Sequence, residues 1–225
     1  MLPLLATAGL VTAGLVAATE TAWPAPVVAE AATPDAATLL ASIAQPAPAQ
    51  TAFFERRESP LLVEPLLLRG QLQQPREGSL IKAVEWPYVE RMRIEDDKVS
   101  VERDGERTRR FSLKRAPELV AINAGFEAML DGDVDGLRAH FDLAVLGDAA
   151  QWRIDLSPRS PRLAKKVVSM SLLGGGGELR CVDLLQQGGE ASRMWVGDAV
   201  EAAAAASDEA ARDALCVAAN DAAGG

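Results

Sequence analysis

Residues 51–113 alternate between apolar and polar side chains over several successive runs, and a period of two is the signature of strand rather than helix. Leu66, Leu68 and Leu72 fall on one face of an extended segment, with Arg69, Gln71 and Gln73 on the other. Trp86, Tyr88, Met92 and Ile94 repeat the pattern. A pleated strand sends successive side chains to opposite faces, so these runs describe a curved sheet with one apolar surface. Ser59-Pro60, Asp96-Asp97 and Asp104-Gly105 punctuate them as turns. The predicted strands are 51–58, 61–74, 84–95, 98–103 and 107–113, in an antiparallel meander. Pro65 marks an edge or bulge.

The period then changes. Pro117 opens a predicted helix of about 13 residues, because Leu119, Ile122, Phe126, Met129 and Leu130 share one face at helical spacing. Gly132 and Gly136 loosen the chain after that helix. Alternation returns at Phe141, Leu143 and Val145, then at Trp152, Ile154 and Leu156. Residues 166–173 and 178–185 form a hairpin across glycines 174–177, and 191–197 is the last strand. Upstream, Asp35 caps a short helix running to Ala44, which Pro46 and Pro48 end. Residues 199–225 are rich in Ala with acidic side chains and carry few large apolar groups. That segment reads as a frayed or flexible tail with little to dock.

The first eighteen residues hold no charged side chain. Residues 1–29 read as a signal peptide: an apolar stretch ending at Val27-Val28-Ala29, with small residues where signal peptidase needs them. Cleavage after Ala29 is expected, with Ala22 as the alternative and an uncleaved anchor as the competing reading. An anchor of 17 residues with two glycines is marginal for a bilayer. Residues 30–34 read as a linker and 35–198 as one domain. The expected compartment is the periplasm. A net charge of −9 excludes a nucleic-acid binder, which needs a basic stripe to neutralise phosphates. It also disfavours attachment to anionic headgroups by charge alone. Cys181 and Cys216 either pair in an oxidising compartment or remain two thiols.

No residue cluster announces catalysis, a metal or a cofactor. His140 is the one histidine and has no ligand spacing around it. Glycines 174–177 lack the Gly-Lys-Ser/Thr of a phosphate loop. Asp96-Asp97 and Asp131/Asp133 sit where turns and caps want short polar side chains. Glu90 stands out, because alternation puts it on the apolar face between Tyr88 and Met92. A carboxylate there must be solvated, paired or protonated. Arg56 and Arg57 are candidate partners in a latch, and a bulge near Pro87 that turns Glu90 outward is the alternative. Candidate cavity-lining residues are Leu66, Leu68, Leu72, Trp86, Tyr88, Met92 and Ile94, joined by Phe111, Trp152 and Ile154. Ile122, Phe126 and Met129 are candidate lid residues. The same side chains would equally fill an ordinary core.

The order of these features carries a resemblance. Phe54-Glu55, Ser59-Pro60-Leu61-Leu62, Pro65 and Gly70-Gln71-Leu72 resemble the opening of the LolA-like family of periplasmic lipoprotein carriers. Residues 87–94, followed by Val99 and Asp104-Gly105, are similar to its next part. Phe141, Gly147, Trp152, Leu156 and Pro158 resemble its later portion. The resemblance implies a mainly β, α+β fold: an incomplete antiparallel β-barrel, open on one side, with helices covering the concave face. It implies a non-enzymatic monomer that carries a lipidated protein or acyl-lipid cargo from an inner-membrane donor to an outer-membrane acceptor. Relatives with the same half-barrel sense lipid and regulate a membrane partner, which is the alternative. The family's Arg-Pro-Gly-x-Phe-Arg-Trp type of segment is absent from 74–80, which reads Gln-Pro-Arg-Glu-Gly-Ser-Leu, so the cargo stays open.

Overall fold

The computed structural model describes residues 34–217. The predicted signal peptide lies outside the described residues, as does all of the linker but its last residue. Helix α1 (Ala36–Ile43) starts at Asp35, whose carboxylate accepts from the Thr38 N–H at 2.9 Å. The first meander comprises β1 (Ala49–Glu58), β2 (Leu66–Gln74), β3 (Ser79–Trp86), β4 (Glu90–Glu95), β5 (Lys98–Arg103) and β6 (Arg109–Ser112). A 3-10 turn at Leu113–Arg115 leads to α2 (Pro117–Asp131) and α3 (Val134–Arg138). Then come β7 (Phe141–Gly147), β8 (Trp152–Pro158), α4 (Pro161–Ala164), β9 (Val167–Gly175), β10 (Glu178–Gln186) and β11 (Ala191–Val196). Helices α5 (Ala199–Ala205) and α6 (Glu209–Ala214) end the described chain.

All eleven strands form one antiparallel sheet in the order β6-β5-β4-β3-β2-β1-β11-β10-β9-β8-β7. Two meanders, β1–β6 and β7–β11, are joined by pairing of the first strand with the last. Strands β6 and β7 do not pair with each other, so the barrel is incomplete, and α2 and α3 connect the two free edges. The predicted turns hold: Asp96 and Asp97 take φ of 48° and 61°, as a tight two-residue hairpin requires. Phe53, Leu68, Leu72, Ile94, Trp152, Ile154 and Leu156 face the concave side and pack into the main core beneath α1 and α2.

Three sequence expectations fail, the first being that the predicted strand 61–74 begins only at Leu66, with 61–65 in the β1–β2 loop. The predicted strand 84–95 is two strands with a turn at 87–89, and 79–83, unassigned from sequence, belongs to the first of them. The alternation of Trp86, Tyr88, Met92 and Ile94 therefore crosses a hairpin. The segment 199–217 also has somewhere to dock. Phe54, Cys181 and Trp195 point to the convex side, and Val200, Ala203 and Cys216 pack on them in a second small core. Cys181 and Cys216 form a disulfide. Small side chains suffice because the strands supply the bulk: Trp195 donates its indole N–H to the Arg212 carbonyl at 2.9 Å.

A candidate ligand cavity beneath helix α2

Strand β1 sends consecutive residues to opposite faces, and this splits its Glu-Arg-Arg-Glu run. Glu55 and Arg57 point inward, beside Phe53 of the core; Arg56 points outward. The inward pair meets Lys82 of β3. Lys82 Nζ donates to one Glu55 oxygen, and Arg57 donates to the other at 3.0 Å. Lys82 also sits 4.8 Å from the centre of the Phe53 ring. The Glu55 side chain is 3% exposed. Burial pushes its carboxyl up, but Lys82 and Arg57 together outweigh that and hold it below the ordinary carboxylate value. Burial also pulls the Lys82 ammonium below its ordinary value, with Glu55 offsetting this in part and Arg57 adding to it. Two cations share one carboxylate, so Glu55 is the firmly ionised member.

This cluster forms one end of a cavity of about 270 Å³. Its roof is α2, presenting Glu118, Leu119, Ile122 and Phe126. Its floor is Val84 and Met92 on one meander and Met170, Val182, Leu184 and Met194 on the other. Glu90 is on the cavity wall, 19% exposed, and accepts from Arg103 at 2.7 and 3.0 Å. Phe126 also lines a second space of about 470 Å³, bounded by Ile43, Leu72, Leu130, Leu179 and the C-terminal helices.

Of the residues singled out from sequence, Met92, Ile122, Phe126, Arg57 and Glu90 line the first cavity, and Leu72 lines the second. Leu68, Ile94, Trp152 and Ile154 are buried in the core, and Leu66, Tyr88 and Phe111 pack at its margin. The side chain of Met129 lies outside the described residues. Trp86 is a correction. It is 51% exposed, because the β2–β3 register slips between Arg69 and Gly70 and the turn at 87–89 carries Trp86 off the concave face. Arg56 is the second correction: it bonds Glu58 and Glu209 on the convex side, so it cannot reach Glu90. The Glu90 partner is Arg103, its register neighbour on β5, which also stacks 4.6 Å above the Tyr88 ring. Sequence reasoning missed Glu55, Lys82, Met170, Val182, Leu184 and Met194. The alternation of β9–β11 was visible, but nothing local shows that these strands fold over against β1–β4. His140 sits in the α3–β7 turn, apart from the cavity. Among the described residues, no group of three or more His, Cys, Asp or Glu is placed to hold a metal ion.

The open sheet, its helical cover and the cavity between them meet a match in sequence over residues 28–219, to the family described as outer membrane lipoprotein carrier protein LolA-like. The chain belongs to this LolA-like family. No curated protein matches it in sequence. A solved LolA superfamily protein from Nitrosomonas europaea is similar, at 11% identity and TM-score 0.40, covering 72% of this chain and 91% of that one. A putative outer membrane lipoprotein-sorting protein domain from Vibrio parahaemolyticus gives 10%, 0.39, 72% and 89%. The MucA/MucB complex of Pseudomonas aeruginosa gives 17% and 0.33, with 72% of this chain and 56% of that one covered.

Proposed function

We propose that this LolA-like protein is a periplasmic carrier that holds the acyl chains of a lipoprotein, or of another lipidated cargo, under α2 and shuttles it toward the outer membrane. The reading rests on one observation: a cavity between a helix and an open sheet, roofed and floored by apolar side chains, with the Glu55–Lys82–Arg57 ionic cluster in its wall. Each CH₂ moved from water into such a space gains about 0.8 kcal/mol, so one chain can compete with a membrane. A volume of about 270 Å³ lies just under the range of pockets for small ligands, about 300–1,000 Å³, so a long chain requires α2 to lift. One feature suits α2 to moving at its start: its N-cap, Ala116, offers no capping side chain. Lys82 and Arg57 would face the polar end of the cargo, and Glu90 paired with Arg103 would border the entry. The disulfide fits an oxidising compartment. Donor and acceptor proteins at the two membranes and a monomeric carrier complete the proposal; binding, not catalysis, is its chemistry.

The ionic cluster also favours a second reading, a lipid-sensing module. A buried salt bridge that an arriving headgroup rearranges is a two-state element. The test is native mass spectrometry with lipid extraction, plus uptake of a fluorescent fatty-acyl probe. Wild type should carry or take up an acyl species, and Ile122→Trp, which fills the cavity, should lower uptake about tenfold. Repeatedly clean protein that also refuses the probe would sink both readings.

A further inference from the structure

The exposed large apolar side chains of the described residues are not scattered. All but Leu146 and Val217 sit on one rim of the sheet. The antiparallel order brings the β1–β2, β3–β4, β5–β6, β8–β9 and β10–β11 connections to that rim. Leu61 and Val63, 90% and 102% exposed, stand with Leu62 in the β1–β2 loop. Trp86 and Val89 flank the β3–β4 turn. Leu185 and Val168 lie at the adjoining ends of β10 and β9. Backbone bonds tie neighbouring connections together, Asp104 N–H to the Val89 carbonyl and Gln187 N–H to the Lys166 carbonyl. A run of apolar groups this exposed is costly in water and calls for a partner.

The charges around the rim say what kind. The whole chain carries −9, yet Arg159, Arg162, Lys165 and Lys166 occupy the β8–β9 connection with no acidic residue between them. Arg107, Arg109 and Arg110 cluster beside the β5–β6 loop, and these three are exposed, as are Arg162, Lys165 and Lys166. The β8–β9 cations stand alone on one side, while acidic Glu58, Glu64 and Glu85 lie at the apolar centre and Asp104 and Glu106 lie beside Arg107. An apolar loop with those β8–β9 cations to one side complements a bilayer surface, where the loop enters the headgroup–acyl boundary and the cations meet anionic headgroups.

We propose that this rim docks on an anionic lipid bilayer, with Leu61, Leu62, Val63 and Trp86 as the inserted groups. The cavity under α2 opens near the same rim, through Arg57, Glu90, Gln186 and Glu190, so docking would place its mouth against the lipid. The docking surface itself stands on exposure and charge and does not depend on what the cavity holds.

The experiment uses the full chain and vesicles of phosphatidylethanolamine and phosphatidylglycerol, some with brominated acyl chains, against pure phosphatidylcholine. The signal of Trp86 is isolated by subtracting that of Trp86→Phe, which cancels the buried Trp152 and Trp195 and any contribution from Trp23. Brominated anionic vesicles should quench Trp86 about twofold or more, with the effect falling as salt rises. The triple variant Leu61→Ser/Leu62→Ser/Val63→Ser should weaken binding through the rim about tenfold or more, and Lys165→Glu/Lys166→Glu about tenfold at low salt. Circular dichroism of these surface variants should match wild type. Trp86 left unquenched on vesicle-bound protein would overturn the proposal. So would concentration-dependent dimers that the triple variant abolishes without any lipid binding, or anionic and neutral vesicles binding alike. Acyl-probe uptake in detergent-free solution is a separate readout, so loss of docking and loss of carriage are distinguishable.

Discussion

The two faces of β1 put the same residue types to opposite uses. Inward, Glu55 and Lys82 form a nearly dry pair on the wall of a cavity, and the half-exposed Arg57 reaches the same carboxylate from its mouth. Outward, Arg56 spans Glu58 on its own strand and Glu209 on α6 at the solvent boundary. Arg193 repeats the outward pattern, bonding Asp183 at 2.7 Å and Asp213 of α6 at 2.6 Å. Its hydrogen bonds to Asp183, and then the Asp213 carboxylate, raise its guanidinium above the ordinary value. The difference lies in the dielectric surroundings. Inside, Glu55 and Lys82 cannot reach water if left unmatched, so each needs the other, whereas Arg57 keeps part of its guanidinium in solvent. Outside, water replaces a lost partner at little cost, and the covalent Cys181–Cys216 link, more than the ion pairs, holds the helices down.

The sharpest way to break the contrast is Glu55→Ala. It leaves Lys82 and Arg57 facing each other without their carboxylate and should cost about 3–5 kcal/mol in urea unfolding. A cost near zero would mean that water reaches the cluster. The same pair sets the acid side of stability. The folded Glu55 carboxyl lies below its unfolded value of about 4.3, so its contribution is complete above that pH and is lost as pH falls through the lower folded value. Glu55→Gln should flatten that part of the pH–stability curve, and an unchanged slope below about pH 4 would count against ionised Glu55.

Next in size is the covalent tether. Replacing both Cys181 and Cys216 by Ser opens a link between residues 35 apart and should cost about 2–4 kcal/mol. Hydrogen exchange should speed up in α5 and α6 while β1–β5 stay protected, which would separate the outer layer from the barrel. Uniform loss of protection would show that the two cannot be parted. The smallest effect belongs to Arg56→Ala. With Glu58 and Glu209 about half exposed, it should cost about 0.5 kcal/mol and leave acyl-probe uptake unchanged. A drop in uptake would mean that the outer face talks to the cavity.

Much of the fold was legible because its signals are local. The cap at Asp35, the amphipathic run after Pro117, the turns at Asp96-Asp97 and Asp104-Gly105, and the alternation of Leu66, Leu68 and Leu72 each depend on neighbours within a few residues. The hairpin at Pro87 was not legible, because the alternation from Trp86 to Ile94 continues in phase across the turn and conceals it. The tail helices misled for a related reason. Alanine offers little area to bury, and only Phe54, Trp195 and the disulfide, all distant in sequence, give it a surface.

Sequence alone determined where most of the strands lie and that one face of the sheet is apolar, because the period of side chains along a strand is a local geometric fact. Tertiary structure alone decided which apolar residues pack solid and which border open space. It also set which arginine meets which glutamate. Closing the second meander onto β1 put Met170, Leu184 and Met194 opposite Lys82 and Met92, and no spacing within the chain encodes that distance.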